Sequence, residues 1–276
     1  MITPSKPASV INSRTHPSVK RIRLLRLRDE RERTGLFYIE GLRFVSQAVE
    51  QRTFIEALVV CRPLLVHAFA QKLVRRQRRS GAPVLEVTPA VLHSISLVED
   101  SQGIGAVVRQ QWEPLARIRP GDELCWIAHQ AVRSPGNLGT ILRTSDAVGG
   151  AGVIALSDAI DPYDPAAVRA TMGAMFTQRF VCTSVAELAR WKRRSSFVFI
   201  GTSPTAGTDY HAITYPGPTI LFMGEERKGL SPDLQALCDI MVRIPMVGHS
   251  DSLNLAVATG VLLYELFNQR RSQGLL

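Results

Sequence analysis

Cysteine is scarce in this chain. Its 276 residues include four, namely Cys61, Cys125, Cys182 and Cys238, far apart and without a CxxC pair. That spacing argues against a zinc site and against a disulfide framework, and predicts small core residues in a reducing, cytoplasmic setting. No clustered metal ligands are visible, so no metal is expected. No run of about 18 uncharged apolar residues occurs, so no membrane-spanning helix is expected. The N-terminal stretch MITPSKPASV has no apolar core of the secretory type. There is no internal repeat and no low-complexity tract. The Gly-x-Gly-x-x-Gly turn and the Gly-Lys-Ser/Thr phosphate loop are both missing.

What is present is a globular composition, 45% hydrophobic and 21% charged, with a net charge of +9. The charge is unevenly placed. Residues 1–120 hold 20 Lys and Arg against 10 Asp and Glu, whereas residues 121–276 hold 13 against 14. The whole excess belongs to the first part. A basic module ahead of a neutral one suits a polyanion grip joined to a chemical or assembly unit. An Arg-rich soluble surface explains the count equally well.

Residues 1–14 have no apolar period and read as a flexible arm. His16–Arg33 reads as one amphipathic helix, with Val19, Ile22 and Leu25 inward and Lys20, Arg21, Arg23, Arg26, Arg28, Arg31 and Arg33 on the opposite face. A second basic helix runs over residues 64–79. With strands at 35–41, 57–61, 84–87 and 103–109, this gives an α/β unit over residues 15–109. Residues 110–121 carry two prolines and no period, and read as a linker. From 122 to 276, continuous apolar strands alternate with helices, which predicts a parallel sheet covered on both faces. The last helix is expected to bury Leu253, Val257, Val261, Leu262 and Leu266.

Three clusters in this second part sit at strand–loop–helix junctions, where open α/β sheets bind ligands. The first runs from Ser134 to Thr144, a Gly-rich turn leading into a helix that carries Asn137 and Arg143. The six-residue spacing lets Arg143 reach along the side of Asn137. The second runs from Phe222 to Ser231, a loop with Gly224 and Gly229 around charged residues. The third runs from Ile244 to Asn254, where Ser252 or a neighbour caps the last helix. Each has a plain structural explanation: a cap with a surface Arg, a polar connection, and capping alone. His129 and His249 read as structural or incidental, and Trp112, Trp126 and Trp191 as packing residues.

Together, in order and spacing, the clusters resemble the SpoU (TrmH-like) branch of the SPOUT RNA methyltransferases. Asn-Leu-Gly-x-Ile-x-Arg-Thr is matched by Asn137–Thr144, Gly-x-Glu-x-x-Gly-Leu by Gly224–Leu230, and Ile-Pro-Met followed by Ser-Leu-Asn by Ile244–Asn254. His16–Lys20, Phe37–Gly41 and Gln102–Ile104 look like the family's L30e-like substrate-binding domain. The sequence departs at Ser134, where the family often has an acidic residue, and at Thr171, where Ser is commoner.

The resemblance implies an α/β fold in which a small L30e-like domain precedes a SPOUT domain with a parallel sheet and a deep trefoil knot. It implies transfer of a methyl group from S-adenosylmethionine to a ribose 2′-hydroxyl of RNA, 23S rRNA above all, by a cytoplasmic homodimer. By the same resemblance, Asn137, Arg143, Glu226, Ser252 and Asn254 are the polar active-site positions, and Thr202, Gly224, Gly229, Ile244, Met246 and Leu253 hold the cofactor. A guanidinium is a poor proton acceptor, so Arg143 reads as a phosphate clamp. Lys20, Arg21, Arg23, Arg26, Arg75, Arg76, Arg78 and Arg79 are the expected RNA phosphate contacts. Two alternatives stand beside this reading: a tRNA ribose methyltransferase, and a catalytically silent RNA-binding or assembly protein.

Overall fold

Backbone pairing sorts the chain into two sheets, each the centre of one compact unit. The structure, a computed structural model, describes residues 10–99, 101–157, 160–225 and 228–275. The first unit comprises the chain up to Gln110 together with Tyr163–Val168, and the second comprises Gln111–Pro162 and Arg169–Leu276.

In the first unit, α1 (Pro17–Leu24) and α2 (Arg28–Thr34) lead into β1 (Leu36–Glu40), α3 (Leu42–Glu50), β2 (Ile55–Val60), α4 (Ala68–Arg79), β3 (Val84–Glu86), α5 (Pro89–Ile95) and β4 (Ile104–Arg109). The strand order is β1-β4-β2-β3, with β4 antiparallel to both neighbours and β2 parallel to β3. Val19, Ile22 and Leu25 pack with Val91, Leu92 and Ile95 in its core.

The single helix expected over His16–Arg33 is broken. Leu27 is extended, with φ −86° and ψ 136°, and α2 restarts at Arg28. Arg31 explains the break. Assigned by its spacing to the exposed basic face, it is only 2% exposed. Its guanidinium donates to the carbonyls of Leu25, at 2.9 Å, and Arg26, at 2.8 Å, which the end of α1 leaves without helical partners. Asp164 approaches the same guanidinium at 3.9 Å, and the Tyr163 ring lies 4.8 Å from that of Phe37. Residues 163–168 thus pack into a unit whose other residues lie more than fifty positions earlier in the chain. At the start of the chain, Ile11 bridges Val87, so the described part of the expected arm is anchored.

The second unit holds β5 (Trp126–His129), α6 (Pro135–Ala147), β6 (Gly152–Ala155), α7 (Pro165–Ala170, shared with the first unit), β7 (Arg179–Cys182), α8 (Val185–Lys192), β8 (Val198–Thr202), β9 (Thr208–Asp209), β10 (Thr219–Met223), α9 (Pro232–Leu237), β11 (Ile240–Arg243) and α10 (Leu255–Ser272). All pairings in the order β7-β6-β5-β10-β8-β11-β9 are parallel. The apolar strand runs are buried, as a parallel sheet covered on both faces requires.

Residues 111–121 belong to this unit. Glu113 bridges Val181 beside β7, Arg179 donates to its carboxylate at 2.8 Å, and Ile118 enters the core. Cys182 is exposed, unlike the buried Cys61 and Cys125, so it is not the core residue its rarity suggested. The face of α10 is also shifted: Leu255, Ala256, Thr259, Leu262, Leu263 and Leu266 are buried, while Leu253 and Val257 are exposed. The cap at Asn254 sets this phase, because Leu253 precedes the helix.

His129 ends β5 fully buried, and neither ring nitrogen has a hydrogen-bond partner among the described residues. Burial lowers its pKa from 6.5 to about 3. Below pH 6.5 the unfolded chain binds a proton that the folded chain refuses, so stability falls as pH drops toward about 3. The limit is about 1.4 kcal/mol per pH unit. His129→Leu is expected to remove this component. Chemical denaturation at stepped pH should show the variant gaining on the parent across that window.

Candidate functional site

The site is built where β10, β8 and β11, neighbours in the sheet, release their C-terminal loops. Thr202 closes β8, and its hydroxyl donates to the Phe222 carbonyl at 3.1 Å. The loop after β10 doubles back at once: Glu225 N–H donates to Gly229 O at 3.0 Å and Gly229 N–H to Glu225 O at 2.9 Å. A Cβ on Gly224 would lie 2.5 Å from the Gly229 carbonyl carbon, so no side chain fits there. Gly229 has φ +66°, which glycine adopts without strain.

With the loop after β11, these turns enclose a cavity of about 590 Å³, within the range of small-molecule sites. Thr202, Gly224, Gly229, Ile244, Met246 and Leu253 all line it, as does Ser252. Spacing alone did not single out three charged wall residues, Glu225, Lys228 and Asp251. Their only sequence signal was proximity to the glycines and to Ser252. An apolar majority with two carboxylates and one ammonium suits a ligand that is part aromatic and part zwitterionic.

Beside the cavity is a polar edge. Ser134 caps α6, its hydroxyl accepting from Asn137 N–H at 3.3 Å. The hydroxyl therefore starts the helix without an acidic residue. Arg133, next to it, lies 3.7 Å from the Glu225 carboxylate, an ion pair between the first and second clusters that the sequence reading missed.

Asn254, not Ser252, caps α10. Its Oδ1 accepts from Ala256 N–H at 3.0 Å and Val257 N–H at 3.3 Å. Those donors fix the orientation of the amide, so its nitrogen faces out. It donates to Asn137 Oδ1 at 3.2 Å. The first and third clusters, 117 residues apart, are therefore joined by a side-chain hydrogen bond.

Arg143 is exposed on α6 and does not line the cavity. Six helical residues place it about 9 Å along the axis and about a third of a turn from Asn137. The two do not share a side, contrary to the expectation from spacing. Glu226 lies outside the described residues.

In the first unit, the expected phosphate contacts divide. Lys20, Arg21, Arg75, Arg76 and Arg79 are exposed. Arg26 is occupied: its guanidinium donates to Ile95 O at 2.7 Å and Ser96 O at 3.1 Å, at the end of α5. Arg23 donates to Arg14 O at 2.8 Å. Arg78 pairs with Glu86, which also pairs with Arg62 at 2.8 Å. These guanidinium contacts hold the Glu86 carboxyl down at about 2.

Comparison with known proteins matches residues 125–264 to the SpoU rRNA Methylase family and residues 16–106 to the MRM3-like substrate binding domain. The 23S rRNA (uridine(2479)-2′-O)-methyltransferase of Streptomyces viridochromogenes is 33% identical over 90% of this chain and 88% of its own length. The 23S rRNA (guanosine(2553)-2′-O)-methyltransferase RlmP of Bacillus subtilis is 26% identical over 93% and 98%. The crystal structure of AdoMet-bound rRNA methyltransferase from Sinorhizobium meliloti superposes with a TM-score of 0.86 at 35% identity, covering 95% of this chain and 97% of that one.

The dual role of Asn254 gives a stability test. Asn254→Ala loses the cap and is expected to cost about 1 kcal/mol, whereas Asn254→Asp keeps a capping oxygen and stays near the parent. Thermal denaturation of both variants checks this.

Proposed function

The chain belongs to the SpoU rRNA methylase family, and from that premise we propose that it is an S-adenosylmethionine-dependent RNA 2′-O-ribose methyltransferase acting on 23S rRNA. The observation that carries this reading is the cavity at the β10-β8-β11 edge, lined by all six residues expected to hold the cofactor. The named relatives modify uridine and guanosine respectively, so the base at the target is left open.

The walls fit the cofactor. The apolar side chains of Ile244, Met246 and Leu253 suit its adenosine, and Glu225, Lys228 and Asp251 suit its ammonium and carboxylate. When bound, S-adenosylmethionine supplies an electrophilic methyl group on a sulfonium. The protein's own task is to present the ribose and manage its proton. Arg143, exposed and without an ion pair among the described residues, clamps a phosphate next to the target ribose. It steadies negative charge developing on the 2′-oxygen but cannot accept the proton, since a guanidinium already holds its full complement of protons at every pH below about 12. The proton leaves through phosphate, Glu226 or water. Asn137, held by Asn254, fixes the polar edge along which the nucleotide lies. Ser252 stands at the cavity wall.

Oligomerisation and the knot are part of the same reading. On α10, Val257 and Tyr264 are 54% and 48% exposed and two turns apart, an apolar stripe suited to a second copy. α10 packs on α6, which carries Asn137 and Arg143. We place the enzyme with its rRNA in the cytoplasm, as a homodimer through the methyltransferase domain.

Tritiated methyl transfer to unmodified 23S rRNA tests the activity. Arg143→Ala is expected to lower kcat/KM about 100-fold or more with cofactor affinity unchanged, because Arg143 does not line the cavity. Label in tRNA alone would shift the substrate. Absence of both label and cofactor binding would leave an RNA-binding scaffold. Val257→Asp is expected to give a monomer in sedimentation analysis.

A further inference from the structure

Phe69, in the first turn of α4, is 55% exposed, and Val66, just before the helix, is 74% exposed. Water contact over so much apolar surface is unfavourable and marks a binding surface when it is clustered. Three other exposed aromatic residues have ring or cation partners. Arg109 lies over Phe54 at 4.5 Å, Trp112 meets Phe180 at 6.2 Å, and Tyr264 meets Phe267 at 6.1 Å. Phe69 has no such partner among the described residues.

Its helix supplies the second half of the observation. α4 buries Ala70, Leu73 and Val74 and turns Lys72, Arg75, Arg76 and Arg79 outward. Glu86 neutralises Arg62 and Arg78. The other four cations have no ion pair among the described residues. Phe69, Lys72, Arg76 and Arg79 follow at i, i+3, i+7 and i+10, so they share one face, with a cation at about every turn of 5.4 Å.

We propose that this face of α4 is a track for a single-stranded RNA segment, with one nucleobase stacked on Phe69 beside Val66 and successive phosphates on Lys72, Arg76 and Arg79. This deepens the rRNA reading and rests on it. A planar base attached to a charged backbone answers both halves of the surface at once. A second copy of the chain does not, because a two-fold contact through this face would set the same uncompensated cations against each other. Arg78, paired to Glu86, is no part of the track.

The test uses the full chain and a fluorescein-labelled oligouridylate, with anisotropy measured over a series of KCl concentrations. Phe69→Ala is expected to weaken binding about 5- to 100-fold without changing the salt dependence, and Phe69→Trp to restore it. Arg76→Ala is expected to lower the slope of log affinity against log salt by about 0.7. With 23S rRNA transcript as methyl acceptor, Phe69→Ala should raise KM and leave kcat and cofactor affinity unchanged. Parental affinity and KM for Phe69→Ala, with methylation intact, would overturn the track alone. A change in oligomeric state without a change in RNA affinity would assign the patch to a second copy and overturn it as well. A parent chain that neither binds nor methylates RNA would overturn this proposal together with the activity on which it rests.

Discussion

Parallel strands all release their loops on one edge, and the chemistry of this chain follows from that constraint. β10, β8 and β11 lie side by side, so three loops remote in sequence meet there without long excursions. Each contributes by what its backbone is forced to do. The loop after β10 folds back so tightly that Gly224 has no room for a Cβ, which leaves its backbone bare at the cavity wall. The loop after β11 ends in Asn254, whose amide must accept from the first turn of α10 and so has its nitrogen free to hold Asn137. Capping, usually a local matter worth about 1 kcal/mol, here also sets the geometry between two parts of the site.

Much of this was legible in the residues. Buried parallel strands announce themselves as continuous apolar runs, because both faces are covered. Glycines flanking charged residues at strand ends marked the cavity, and the six residues that the family resemblance assigned to the cofactor all line it. Other features were hidden for physical reasons. Periodicity located α10 but gave it the wrong phase, since phase depends on which residue caps, and it ran α1 and α2 together as one helix. It placed Arg31 outside because charge is usually solvated, whereas here a broken helix leaves carbonyls that only a buried donor satisfies. Residues 163–168 pack into the first unit through Tyr163 on Phe37 and Asp164 near Arg31, a long-range contact that no local pattern encodes.

The basic excess also divides once geometry is known. Arg26 and Arg31 serve backbone carbonyls, and Arg62 and Arg78 serve Glu86. A count of cations therefore overstates the surface open to a polyanion. What remains outward on α4 is narrower than a general positive patch and is joined to an aromatic ring that has no ring or cation partner among the described residues. Ser134 makes a similar point in the second unit. Its hydroxyl starts α6, and the ion pair of Arg133 with Glu225 links the two loops, in a sequence that has no acidic residue there.

In the proposed reading, the polar edge beside the cavity presents a ribose hydroxyl rather than a base to the methyl donor. Alkaline hydrolysis of labelled 23S rRNA distinguishes the two acceptors. A methyl group on the 2′-oxygen blocks cleavage of the adjoining linkage, so label is expected in an alkali-resistant dinucleotide. Label recovered in an alkali-released mononucleotide would mean that a base was methylated, and would contradict the role given to Arg143, Asn137 and Asn254.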